Sequence, residues 1–149
     1  MRIFLIDDDT VDAQTVRRVL RGLPGPHDLE VMQSADEALR ELRRRRGTGN
    51  DDGAARTLPD LILLDLNMPG MSSLDFLREV RTGARLRSIP VVVLTTSGLA
   101  SDVEACFEEG VEGYFVKPLE YAQFAELLTR IIDYWRLCET PQRSLAMPS

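Results

Sequence analysis

The chain has 149 residues, enough for one domain with its own core, and a formal net charge of −6, which argues against the basic surface that nonspecific nucleic-acid binding needs. No apolar run approaches the ~20 residues of a membrane span, and the opening "MRIFLIDDDT" turns acidic too early for a secretory signal. Two cysteines, Cys106 and Cys138, lie far apart without metal-ligand spacing and read as reduced thiols, so a cytoplasmic protein is expected.

The first predicted element is a strand at "RIFLI", a short run rich in β-branched and aromatic residues that suits a sheet covered on both faces. It runs directly into Asp7, Asp8 and Asp9. Like charges held close raise one another's pKa and destabilise a fold unless a positive charge joins them. Asp9, with Thr10, reads as the cap of a first helix whose apolar stripe is Val11, Thr15, Val16, Val19 and Leu20.

A second strand follows at "LEVM", then a helix with the stripe Ala35, Ala38, Leu39 and Leu42. That helix ends in the arginines Arg43 to Arg46 and leads into the polar, glycine-rich "GTGNDDGAART". Cations suit the last turn of a helix, so these arginines read as a solvated face, with a nucleic-acid patch as the weaker alternative. The third strand, "DLILLDL", delivers Asp65 and precedes a helix carrying Leu74, Leu77 and Val80. The fourth, "IPVVVLT", delivers Thr95, and the helix after it has a weaker stripe of Val103, Ala105, Cys106 and Phe107. The fifth, "EGYFVKP", delivers Lys117, followed by Pro118.

Strands and helices thus alternate five times up to residue 137, leaving 138–149 as a tail. The expected fold is α/β, a doubly wound five-stranded parallel sheet with helices on both faces. In such sheets functional groups gather beyond the carboxyl ends of the strands. Asp7, Asp8, Asp65, Thr95 and Lys117 all fall there. Carboxylates converging from the first and third strands suit a hard divalent cation such as Mg²⁺. Asp65 is then a candidate nucleophile toward phosphorus, with the metal and Lys117 neutralising charge on the transferring group.

The set "IDDD", "LLDLNMPG", "VVVLTT" and "YFVKP" resembles the response-regulator receiver domain over nearly the whole chain. The spacing agrees with that family, since Thr95 follows Asp65 by 30 residues and Lys117 follows Thr95 by 22. The resemblance implies a flavodoxin-like strand order 2-1-3-4-5, a receiver domain over 1–137, and a single-domain response regulator of a two-component phosphorelay. It implies that Asp65 accepts a phosphoryl group from a sensor histidine kinase, that Asp8 binds Mg²⁺ directly and Asp7 through water, and that Asn67 offers its backbone carbonyl. Lys117 would pair with the phosphoryl group, its bond to Pro118 being cis. Thr95 and Tyr114 would form the switch that repacks the surface of the fourth helix, fifth strand and fifth helix. Tyr114 also has a plain reading as half-buried core with a wet hydroxyl.

Two departures stand out. After "MPGM" the family usually shows an acid or asparagine and then glycine, where this chain has Ser72 and Ser73. Thr96 stands where receivers often carry a small residue. "PVVVLTTS" with "IIDYWRLCETP" is similar to stand-alone receivers that serve phytochrome histidine kinases. The last helix carries Phe124, Leu127, Leu128, Ile131, Ile132, Tyr134, Trp135 and Leu137, a set wider than one buried stripe. It reads either as a deeply buried helix or, with the tail, as a homodimer interface, because adjacent Tyr134 and Trp135 cannot face one core. No output domain is expected after it. The competing function is a magnesium-dependent aspartyl-phosphate phosphohydrolase, which usually needs a second aspartate where Asn67 stands, so the chain is read as a signalling module rather than an enzyme. A flavin carrier of the same sheet order would have its phosphate repelled by Asp7 to Asp9.

Overall fold

A computed structural model describes residues 1–47 and 57–140. Most of the glycine-rich segment after the second helix and the tail beyond residue 140 lie outside the described residues. The chain runs β1 (Arg2–Ile6), α1 (Thr10–Gly22), β2 (Asp28–Met32), α2 (Ala35–Gly47), β3 (Leu61–Leu64), α3 (Ser73–Thr82), β4 (Val91–Thr95), α4 (Ala100–Glu108), β5 (Gly113–Val116) and α5 (Tyr121–Leu137), with a short 3-10 turn at Leu86–Ser88. All five strands are parallel, in the order β2-β1-β3-β4-β5. The doubly wound sheet with strand order 2-1-3-4-5 is therefore the observed one.

Successive strand side chains point to opposite faces, and the sheet divides the core accordingly. Phe4, Ile6, Ile62, Leu64, Val91 and Val93 pack with residues of α2, α3 and α4, including Leu42, Phe76 and Cys106. Ile3, Leu5, Leu61, Leu63, Val92 and Leu94 pack with Val16 and Leu20 of α1 and with Phe124, Leu128, Ile131 and Ile132 of α5. Each such side chain withdrawn from water stabilises the fold by roughly 1.5–3 kcal/mol before entropic costs are set against it. Because both faces are covered, the central strands are buried throughout: β3 and β4 have no exposed residue. Among the described residues, no helix is long and apolar enough to cross a membrane.

Helix ends follow local rules. Asp9 is the cap of α1, its carboxylate accepting from the N–H groups of Val11 and Asp12. Ser72 caps α3 in the same way, accepting from Asp75 N–H at 3.1 Å. Gly70 supplies the positive φ, +89°, of the preceding turn. The serines that depart from the family pattern thus start the helix, and no glycine is required at their positions.

Three expectations need correction. Val11 is 66% exposed, because α1 presents Ala13, Thr15, Val16 and Leu20 to the sheet instead. Only Cys106 of the α4 stripe is buried, and Phe107 faces solvent. The arginines ending α2 are not one solvated face. Arg43 and Arg44 are exposed with Glu79 and Glu41 as partners, but Arg45 is buried against Glu30 at 2.8 Å, Glu41 at 2.9 Å and the carbonyl of Thr57. Its guanidinium also lies 4.9 Å over the Phe4 ring, a geometry that a planar, delocalised cation can adopt.

Candidate phosphoryl and metal site

Parallel pairing of β1 with β3 sets Ile6 beside Leu64, so the next residues, Asp7 and Asp65, emerge together. The backbone keeps them there: Asp7 N–H donates to Met32 O and Asp65 N–H to Ile6 O, both at 3.0 Å. One carboxylate oxygen from each of Asp7, Asp8 and Asp65 lies within 4.8 Å of the others. Asp7 and Asp65 are buried, while Asp8 faces solvent. A trio of oxygen donors open on one side fits a hard divalent ion that keeps some of its waters. Asn67 follows in the loop, where its N–H donates to Asp65 Oδ1 at 3.3 Å.

Lys117, just beyond β5, turns its ammonium onto these acids. Its Nζ lies 2.9 Å from Asp7 Oδ2, 2.7 Å from Asp12 Oδ2 and 3.4 Å from Asp65 Oδ2. Its N–H is fixed by Thr95 O at 2.7 Å. The described peptides are all trans, so the expected cis bond to Pro118 is not present. The ammonium reaches its carboxylates with the intrinsically favoured isomer. Lys117 is also the one lysine in the chain, every other basic side chain among the 18 being arginine. In the sequence Asp12 is one acid inside an amphipathic helix; only the fold brings it to Lys117.

Electrostatics follow from burial and pairing. Burial pushes the Asp7 carboxyl up to about 6, against the pull of the Asp9 N–H and Lys117. Burial disfavours the Lys117 ammonium, but Asp12 and Asp7 outweigh it and hold the group above the ordinary lysine value. The uncompensated negative charge therefore rests with the acids, as a site for a cation requires.

The hydroxyls occupy the next strand end. Thr95 is fully buried, and its Oγ1 accepts from Asn67 Nδ2 at 3.3 Å. The same amide reaches exposed Thr96 Oγ1 at 3.1 Å. Tyr114 is half-buried and donates its hydroxyl to Ser97 O at 2.7 Å, which ties β5 to the loop before α4. Burial raises its phenol. Ser73, one of the departing serines, is buried and donates to Asp65 O at 2.7 Å, anchoring the backbone of the central acid.

Fold and site together define a doubly wound α/β protein with an acidic, lysine-capped rim at the carboxyl edge of its sheet. Residues 3–131 match the response regulator receiver domain, and the chain belongs to that family. Among curated proteins it is 32% identical over 133 residues to response regulator Rcp1 of Synechocystis sp., covering 89% of this chain and 87% of Rcp1. It is 32% identical over 133 residues to the probable methanogenesis regulatory protein FilR2 of Methanothrix harundinacea, covering 89% of this chain and 82% of that one. Among solved structures, the phosphorylated cyanobacterial phytochrome response regulator RcpA superposes with a TM-score of 0.83 at 29% identity, over 94% of this chain and 97% of RcpA. The Mn²⁺-bound form of Rcp1 gives 0.82 at 30%, over 94% and 98%.

Proposed function

We propose that this chain is a single-domain response regulator that accepts a phosphoryl group on Asp65 from a sensor histidine kinase, in a reaction that needs Mg²⁺. The observation that carries the reading is the setting of Asp65: buried beside the Asp7 and Asp8 carboxylates and the Lys117 ammonium, with its own oxygens held only by long contacts, from Asn67 N–H at 3.3 Å and Lys117 at 3.4 Å, among the described residues. A carboxylate oxygen of Asp65 would bond to phosphorus as the phosphorus–nitrogen bond of a phosphohistidine breaks, its electron pair leaving with the imidazole. Asp8 and Asp65, with the Asn67 carbonyl, would hold the ion, Asp7 acting through water. When bound, Mg²⁺ supplies charge neutralisation on the transferring group. Lys117 would pair with the phosphoryl group and neutralise part of its charge.

Thr95 and Tyr114 are the proposed switch. A phosphoryl group adds about −1.5 to −2 charges and three acceptor oxygens, and among the described residues the Thr95 hydroxyl has only a long contact from Asn67, so it is available to turn. Tyr114 would then leave Ser97 O and follow, altering the α4-β5-α5 surface. Asn67 offers an amide where a phosphohydrolase places its acid/base aspartate, which favours a signalling module over an enzyme.

Similarity to the phytochrome response regulator RcpA favours a kinase of the phytochrome class, and the net charge of −6 favours a cytoplasmic chain without nucleic-acid partners. We assign 1–137 to the receiver domain and 138–149 to a tail. Homodimerisation through α5 and the tail is supported by Tyr134 and Leu137, 63% and 72% exposed. Trp135 is partly buried, packs against the core on the α5 side of the sheet and meets Tyr134 edge-on at 5.1 Å. The test is phosphotransfer from candidate histidine kinases, with Asp65→Asn as control. Transfer is expected only to the wild-type chain, and transfer that survives the substitution overturns the assignment.

A further inference from the structure

An ammonium has three N–H donors, and Lys117 directs all three at carboxylates. It is the longest of these contacts, 3.4 Å, that goes to Asp65, and the shortest, 2.7 Å, that goes to Asp12. A phosphoryl group on Asp65 would need at least one of those donors, so one carboxylate must give way.

The three carboxylates differ in what their release would cost. Asp7 is 1% exposed as a side chain, and its other oxygen already accepts from Asp9 N–H at 2.9 Å. Stripped of Lys117 it would be a buried charge without a counterion. Asp12 is 20% exposed and stands outside the metal trio. It lies in the first turn of α1, where the positive end of the helix dipole stabilises a carboxylate. Asp12 can therefore regain water and keep its charge when the ammonium leaves.

We propose that Asp12 is a positioning residue that holds the Lys117 ammonium back from Asp65 and yields it when Asp65 carries a phosphoryl group. This rests on the reading of Asp65 as phospho-acceptor. Unphosphorylated protein is thereby stabilised relative to phosphorylated protein, and Asp12 sets that balance without touching phosphorus.

The test uses beryllofluoride, a phosphoryl mimic, bound to the full chain in Mg²⁺ and titrated by fluorine NMR. Asp12→Asn keeps the shape of the side chain and removes its charge, and is expected to bind beryllofluoride about tenfold more tightly. In a Lys117→Gln background the same substitution is expected to add less than twofold. An equal gain in both backgrounds would make Asp12 a through-space repeller of anions and overturn the proposal, as would no gain in either. Because Lys117 is the one lysine, nitrogen NMR of lysine-labelled protein gives an independent readout from a single Nζ signal. That signal is expected to move on adding beryllofluoride and, without it, to move part of the way in Asp12→Asn; an unmoved signal in Asp12→Asn contradicts the proposal. Wild-type protein that binds no beryllofluoride in Mg²⁺ counts against the acceptor reading itself, a result separate from any comparison of the variants.

Discussion

Lys117 donates to the carboxylate of Asp7 at 2.9 Å although 110 residues separate them. Pairing does not cancel the cost of burying Asp7, whose carboxyl stands near 6 instead of 3.8.

The sign of the resulting pH effect follows from proton linkage. Between about pH 4 and pH 6 the folded, metal-free protein holds a proton on Asp7 that the unfolded chain has lost, so stability falls as pH rises through that window. Above it the cost is fully present, on the order of 3 kcal/mol. Urea unfolding in chelator should show the decline in wild type and a flatter profile for Asp7→Asn, with the variant the more stable at neutral pH. Adding Mg²⁺ should reverse that ranking. Parallel profiles for the two proteins would show that Asp7 does not titrate as its surroundings imply.

Arg45 supplies a second prediction. Arg45→Ala removes a buried cation from Glu30, Glu41 and the Phe4 ring, and should cost about 2–4 kcal/mol. Arg44→Ala breaks an exposed pair and should leave stability almost unchanged. Thermal unfolding of the two variants side by side measures the contrast, and equal losses would refute the distinction between them.

These two arginines also mark where the sequence stops being legible. Strands such as "LILL" and "VVVLT" were readable because strands covered on both faces must be apolar throughout. The stripe Ala35, Ala38, Leu39 and Leu42 was readable because its period is helical, and all four are buried. The rim of Asp7, Asp8, Asp65, Thr95 and Lys117 was readable because Asp7, Asp65, Thr95 and Lys117 each end an apolar run and Asp8 follows Asp7. Arg45 and its neighbours look alike in one dimension; what separates them is Glu30 and Phe4, on strands the local pattern does not contain. Asp12 escaped for the same reason, its partner lying 105 residues away. Val11 fits the helical period as well, yet it is 66% exposed while Ala13, Thr15, Val16 and Leu20 are buried, a difference the period alone does not carry.

For the proposed dimer, Trp135 and Tyr134 separate two effects. Tyr134→Glu places a charge on an exposed side chain and should lower the sedimenting mass from dimer to monomer with little loss of stability. Trp135→Glu should disrupt both assembly and the packing on the α5 side of the sheet, lowering the unfolding temperature as well. A wild-type protein that sediments as a monomer at high concentration would remove the dimer.

In the proposed reaction Asp65 is a nucleophile made tolerable by a divalent ion and Lys117. The decisive measurement is intact-mass and peptide mass spectrometry after exposure to acetyl phosphate. With Mg²⁺ present, a single phosphoryl adduct should appear on the peptide containing Asp65, vanish in chelator and be absent from Asp65→Asn. An adduct located on another residue, or one formed equally well without a divalent ion, would contradict the account.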